Sequence, residues 1–132
     1  MSYDVYIDDV YFEFDKEYTI YQACSLKQIF LPCFCYHDKL SIAGNCRMCL
    51  VTANTALVAS CAVNITSGMY IYTNSKRINE ARENVLEFIL INHPLDCPIC
   101  DQGGDAIYKI FLSYSVQIED VFMNLINVLY LI

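Results

Sequence analysis

Cys35-Tyr36-His37-Asp38-Lys39-Leu40-Ser41-Ile42-Ala43-Gly44-Asn45-Cys46-Arg47-Met48-Cys49, followed at a distance by Cys61, decides the reading of this chain. It presents one cysteine ahead of a loop, a C-x-x-C pair and a single distant thiol. Soft thiolates in that number select metal–sulfur chemistry over hard cations such as calcium or magnesium. Residues 41–45 are small or short-chained, so successive backbone N–H groups can converge on one point. Gly44 lets the loop backbone come close to the bound group, where a side chain would clash.

Two centres compete for Cys35, Cys46, Cys49 and Cys61. A [2Fe–2S] cluster takes two ligands from a C-x-x-C pair and two from single cysteines, the logic of plant-type ferredoxins, here with a longer first spacing. A four-cysteine zinc site could use the same residues, but zinc ribbons pair two C-x-x-C units. The asymmetry favours the cluster. Three neighbours are read apart from it. Cys24 lies among apolar residues at helical spacing and is expected to be a small buried hydrophobe. Cys33 could replace Cys35 by a two-residue slip, and is read as a free thiol. His37 follows Cys35 as in a Rieske centre, but no Cys-x-x-His accompanies it, so it is expected to hydrogen-bond behind the ligands.

Around this loop the pattern is α+β. Residues 3–7 and 10–14 alternate across Asp8-Asp9 and predict a hairpin closed by a two-residue turn. A short helix is expected from Thr19, its N-cap, to Ile29, stopped by Pro32. Residues 33–49 form the ligand loop. Two strands at 50–52 and 56–59 and a third at 69–73 complete a β-grasp unit, residues 1–74. From Ser75 the period becomes helical, with Ile78, Ala81, Val85 and Ile89 on one face. His93, Cys97 and Cys100 follow in a second, helical segment, residues 75–106. Residues 107–132 carry the stripe Ile107, Phe111, Tyr114, Ile118, Val121 and Leu125, which predicts an amphipathic helix docked on a partner.

Composition narrows the setting. A net charge of −7 argues against nucleic acid, whose phosphates need Lys and Arg. Hydrophobic residues make up 56% and charged ones 17%, too apolar for disorder and apolar enough to expect burial against other chains. Eight cysteines are an even number, yet their clustering and the lack of a signal-like or transit-like start argue against a secreted disulfide framework. No apolar run reaches the length of a spanning helix. The abundance of Ile, Tyr, Phe and Asn suits AT-rich codons, as in an organelle or an AT-rich bacterium.

Two runs carry a family resemblance. Phe34-Cys-Tyr-His-Asp-Lys-Leu-Ser-Ile-Ala-Gly-Asn-Cys-Arg-Met-Cys-Leu-Val51 and Glu80-Ala-Arg-Glu-Asn-Val-Leu-Glu-Phe-Ile-Leu-Ile-Asn-His-Pro-Leu-Asp-Cys-Pro-Ile-Cys-Asp-Gln-Gly-Gly104 closely resemble the N-terminal region of the large iron–sulfur subunit of respiratory NADH:ubiquinone oxidoreductase, complex I. The likeness runs from about residue 3 to Gly104. It implies a [2Fe–2S] centre on Cys35, Cys46, Cys49 and Cys61, and a [4Fe–4S] centre to which His93, Cys97 and Cys100 give three ligands. Family members place the fourth ligand where this chain has Ala106. The rivals for that place are Asp105 and a cysteine of another polypeptide, the latter preferred because carboxylate is a harder ligand.

The resemblance further implies a non-catalytic relay subunit of a proton-translocating NADH:ubiquinone reductase, passing electrons from the flavin toward quinone. Its partners would be the other complex I subunits, among them the flavin-bearing one and a separate chain carrying the rest of the large iron–sulfur subunit. Membrane contact would come only through the assembled complex. The implied place is the matrix side of the mitochondrial inner membrane, organelle-encoded, or the cytoplasmic face of a bacterial plasma membrane. A stand-alone ferredoxin-like carrier, a hydrogenase-associated module and a colourless zinc module are the alternatives.

Overall fold

Alternation of side chains sets the first hairpin. β1 (Tyr3–Ile7) and β2 (Val10–Phe14) pair antiparallel with Ile7 opposite Val10, so two residues close the loop. Both have positive φ, Asp8 at 49° and Asp9 at 66°, the backbone that a tight hairpin loop demands and that Asp tolerates. The Asp8 carboxylate accepts hydrogen bonds from the Thr73 N–H at 2.8 Å and the Thr73 hydroxyl at 2.5 Å, fastening the turn to the end of the last strand. The computed structural model describes residues 2–94, 96 and 99–102.

The second hairpin joins β3 (Leu50–Ala53) to β4 (Ala56–Ala59) across Asn54, φ 54°. Gly68, φ 80°, leads into β5 (Met69–Tyr72). The five-stranded sheet runs β2-β1-β5-β3-β4, with β5 parallel to β1 and antiparallel to β3. β5 thereby joins the two hairpins into one sheet. Helix α1 (Ile20–Leu26) sets Ile20, Ala23 and Cys24 against Val5, Ile7, Val51, Ile65 and Ile71 in the core. This is the α+β arrangement expected, and Cys24 is the buried hydrophobe expected. Burial pushes its thiol up to about 12.

The start of α1 is readable in the sequence and its end is not. Thr19 forms a full capping box: its hydroxyl accepts from the Gln22 N–H at 3.2 Å while the Gln22 side chain accepts from the Thr19 N–H at 3.0 Å. The helix stops at Leu26, well before Pro32. Gln28, at φ 60°, takes the left-handed position past the cap. The Ile29 N–H donates to the Cys24 carbonyl at 2.9 Å and the Gln28 N–H to the Ser25 carbonyl at 3.0 Å, a Schellman closure. Gln28 is exposed and loses no packing if truncated. Gln28→Gly is therefore expected to stabilise the chain by about 0.5–1 kcal/mol, the left-handed penalty less the freedom that Gly adds to the unfolded state. A raised urea midpoint would show it.

Helix α2 (Lys76–Ile91) begins as expected, the Ser75 hydroxyl accepting from the Ile78 N–H at 3.3 Å. Ile78 is buried and Ala81, Arg82 and Val85 are half-buried, but the stripe then passes to Leu86 and Leu90, leaving Ile89 36% exposed. The apolar face includes one-step neighbours that a strict i, i+3, i+4 spacing from Ile78 passes over. Residues 1–85 and 86–132 form two compact units. The first holds the sheet, α1 and the start of α2. In the second, the described residues include the end of α2, where the His93 N–H donates to the Leu90 carbonyl at 3.0 Å, and the Ile99 N–H, which donates to the Asp96 carbonyl at 3.0 Å. Cys97, Asp105, Ala106 and the expected helix 107–132 lie outside the described residues.

Candidate metal centre

Strand pairing alone brings two of the cysteines together. Cys49 stands just before β3 and Cys61 shortly after β4, and Leu50 pairs with Ala59. Ser60, between Ala59 and Cys61, locks the junction. Its N–H and its hydroxyl both donate to the Cys49 carbonyl, at 3.2 and 2.8 Å. Cys49 and Cys61 are buried, packed with Ala59. The Cys49 thiol also accepts from the Cys61 N–H, with the Ser60 hydroxyl beside it.

The loop after α1 supplies the rest. Leu31 anchors it in the core, and the chain bends at Phe34 and Cys35. The backbone N–H groups of Cys46, Asn45 and Gly44 converge on the Cys35 thiol, the cradle that the small residues of this loop predicted. Gly44 sits at φ 61°, and a Cβ there would stand 3.4 Å from the Ala62 Cβ. Its conformation, more than crowding, requires glycine. The Cys46 side chain also reaches the Cys35 thiol. Cys33 does not stand apart: the thiols of Cys33, Cys35 and Cys61 all lie within 4.8 Å of one another. Cys33 packs against the Cys49–Cys61 pair as well. All four predicted ligands thus belong to one neighbourhood, with a fifth thiol among them.

Shared protons follow from this crowding. The hydrogen bond from Cys33, with that from Cys61 and the Ser60 hydroxyl nearby, draws the Cys49 thiol down to about 5. Burial, then the hydrogen bond to Cys49 and its charge, pushes Cys61 up to about 12. The bond to Cys49 and burial push Cys33 up too. Burial opposes ionisation of Cys35, yet its backbone donors and Cys46 carry it below the ordinary thiol range. A metal entering here meets thiolate on Cys49, finds Cys35 easier to ionise than an ordinary thiol, and displaces protons from the remaining thiols. This donor set, soft sulfur from two anchored strand ends and a loop with N–H donors aimed at it, fits an iron–sulfur group.

Residues that the sequence pattern does not single out enclose the thiols. Tyr21 and Tyr36 pack on the Cys49–Cys61 cluster with ring centroids 4.8 Å apart, and the Gln22 amide donates to the Tyr36 hydroxyl at 3.0 Å. Arg82 donates from Nε and Nη2 to the Leu50 carbonyl at 3.1 and 2.7 Å, one residue from Cys49. Burial lowers its pKa, and the nearby Cys49 opposes that shift. Arg82 lies one turn after Ile78, which is the signal the sequence offers. His37 is exposed, and its Nδ1 accepts from the Lys39 N–H at 3.2 Å. It braces its own loop in place of the bond behind the ligands expected of it. In the second constellation His93 and Cys100 are both exposed.

Thiols so arranged on a mixed sheet define a ferredoxin-like iron–sulfur domain. Residues 2–76 match the 2Fe–2S iron–sulfur cluster binding domain, and the chain belongs to that family. Residues 82–105 match the NADH-ubiquinone oxidoreductase-G iron–sulfur binding region, which takes in His93, Cys97 and Cys100. The chain is 55% identical over 105 residues to the NADH-ubiquinone oxidoreductase 75 kDa subunit of Reclinomonas americana, covering 78% of this chain and 15% of that one. It is 54% identical over 102 residues to an NADH-quinone oxidoreductase subunit of Rickettsia prowazekii, covering 76% of this chain and 15% of the relative. The mitochondrial NADH-ubiquinone oxidoreductase 78 kDa subunit of Candida albicans is 56% identical over 90 residues, 67% of this chain and 12% of that one. The chain thus spans about a seventh of the length of such relatives. A solved NAD+-reducing [NiFe]-hydrogenase superposes with a TM-score of 0.80 at 25% identity, covering 89% of this chain and 50% of that one.

Proposed function

We propose that this chain is an electron relay of a complex I-type NADH:quinone oxidoreductase, holding a [2Fe–2S] cluster on Cys35, Cys46, Cys49 and Cys61. The observation that carries this reading is the convergence of those thiols, Cys46 on Cys35, Cys35 beside Cys61 and Cys61 with Cys49, in a chain 55% identical over 105 residues to an NADH-ubiquinone oxidoreductase 75 kDa subunit. When bound, such a cluster accepts and returns one electron. The chain's own part is to bind and to tune: Gly44, Asn45 and Cys46 aim N–H donors at Cys35, Ser60 and Cys61 donate to Cys49, and Tyr21 and Tyr36 limit water. The test is anaerobic reconstitution of the full chain with iron and sulfide. Visible absorption and a paramagnetic signal on reduction support the reading, and a colourless zinc-loaded protein that takes up no iron refutes it.

The finer parts of this reading rest on the resemblance. The domain plan is a cluster domain over residues 1–74, a His-Cys segment over 75–106 and a docking helix over 107–132. A [4Fe–4S] centre takes His93, Cys97 and Cys100 from this chain, with a fourth ligand from another polypeptide ahead of Asp105. Electrons run from the flavin-bearing subunit toward quinone, on the matrix side of the mitochondrial inner membrane or the bacterial cytoplasmic face. The hydrogenase neighbour favours one second reading, a module delivering electrons to a different catalytic partner. Co-purification with complex I subunits or with a hydrogenase separates the two.

Arg82 gives a prediction on tuning. Arg82→Gln removes a half-buried cation near Cys49 and two donors to the Leu50 carbonyl. The apo chain is expected to lose about 1–3 kcal/mol in urea unfolding. The reduction potential of the cluster is expected to fall by something on the order of tens of millivolts, since a nearby positive charge favours the reduced form.

A further inference from the structure

Four thiols suffice for a [2Fe–2S] cluster, and this site holds five. Cys33 is half-buried, packs against Cys49, Ala59 and Cys61, and brings its sulfur within 4.8 Å of both Cys35 and Cys61. Two thiolates on one tetrahedral metal, each about 2.3 Å from it, lie somewhat under 4 Å apart. A shift of about 1 Å therefore puts Cys33 in bonding range, well within what a loop side chain covers on changing rotamer. Cys35 is the exchangeable partner on geometric grounds. It sits on the same loop two residues away, beyond a bend that turns both thiols to one side, whereas Cys49 and Cys61 are fixed at strand ends.

We propose that Cys33 is a reserve ligand: when Cys35 is lost or blocked, Cys33 completes the set with Cys46, Cys49 and Cys61. This rests on the four-thiol reading above. The exchange needs no oxidant. The Cys33 S–H bond breaks, its proton passes to water, and an iron–sulfur bond forms in place of the bond to Cys35.

The experiment compares full-length wild type, Cys33→Ala, Cys35→Ala and the double variant after anaerobic reconstitution with iron and sulfide. The readouts are bound iron, acid-labile sulfide and the paramagnetic signal of the reduced state. Wild type and Cys33→Ala should load fully with one signal. Cys35→Ala should keep its iron and sulfide with a shifted signal, and the double variant should lose them. A Cys35→Ala chain as empty as the double variant overturns the proposal. Cobalt(II) titration of the same apo chains decides the matter even where cluster assembly is inefficient. A thiolate-to-cobalt band of wild-type intensity in Cys35→Ala, weaker in the double variant, supports Cys33; equal weakness in both overturns it. Failure of the four-thiol reading looks different, because wild type itself would then take up no cluster and both ideas would fall.

Discussion

Cys46→Ala is expected to leave the chain colourless after reconstitution, with no paramagnetic signal on reduction and no bound sulfide. The reason is local. Cys46 stands at the far end of the loop that cradles Cys35, and its side chain and its N–H both reach the Cys35 thiol. Cys33 approaches Cys35, Cys49 and Cys61, so the reserve role proposed for it covers the place of Cys35 and not the far end of the loop that Cys46 holds. Cys35, Cys49 and Cys61 alone cannot close two tetrahedral irons. Because metal binding is linked to folding, the loss should also appear as a thermal midpoint that no longer responds to iron and sulfide. Cys24→Ala is the matched control: Cys24 packs in the core with Ile20 and Ala23 and should leave loading intact. A Cys46→Ala chain that still forms a full cluster would remove this residue from the ligand set.

Much of this site is legible in the sequence because its geometry follows from short-range patterns. Alternation across Asp8-Asp9 and the small residues around Asn54 place the hairpins, and the hairpin β3–β4 by itself carries Cys49 to Cys61. The loop of small residues before Cys46 announces its N–H donors. What escapes the sequence depends on backbone choices with no residue signature. Gln28 occupies a left-handed position that usually calls for glycine, so the pattern alone ends α1 too late. A bend at Phe34 and Cys35 folds Cys33 back among the ligands, whereas an extended chain would point residues two apart the same way but nothing in the sequence fixes where. Arg82 escapes because a charge within an apolar stripe reads as solvent-facing, until a carbonyl such as that of Leu50 is there to receive it.

The sheet beneath the site should prove as necessary as the thiols. Ile71 is 1% exposed, in the strand that joins the two hairpins among the described residues, and packs in the same core as Val5, Ile20 and Val51. Ile71→Ala is expected to cost about 2–5 kcal/mol through lost transfer energy and the cavity left behind. Domains of this size hold only about 5–15 kcal/mol in total, so the apo chain would stand near its unfolding threshold. Tyr70, on the opposite face of β5, is the comparison. It is 48% exposed and stacks on Tyr6 with ring centroids 4.7 Å apart. Tyr70→Ala should cost about 0.5–1.5 kcal/mol, the worth of an aromatic pair with little burial. Urea unfolding of the two variants measures the difference. The consequence should reach the metal centre, because Ala53, at the end of the strand that starts beside Cys49, pairs with Ile71. Ile71→Ala is therefore expected to load iron and sulfide in the cold but lose them on warming before wild type does, while Tyr70→Ala follows wild type. Equal costs for the two substitutions would contradict the assignment of the inner and outer faces of β5.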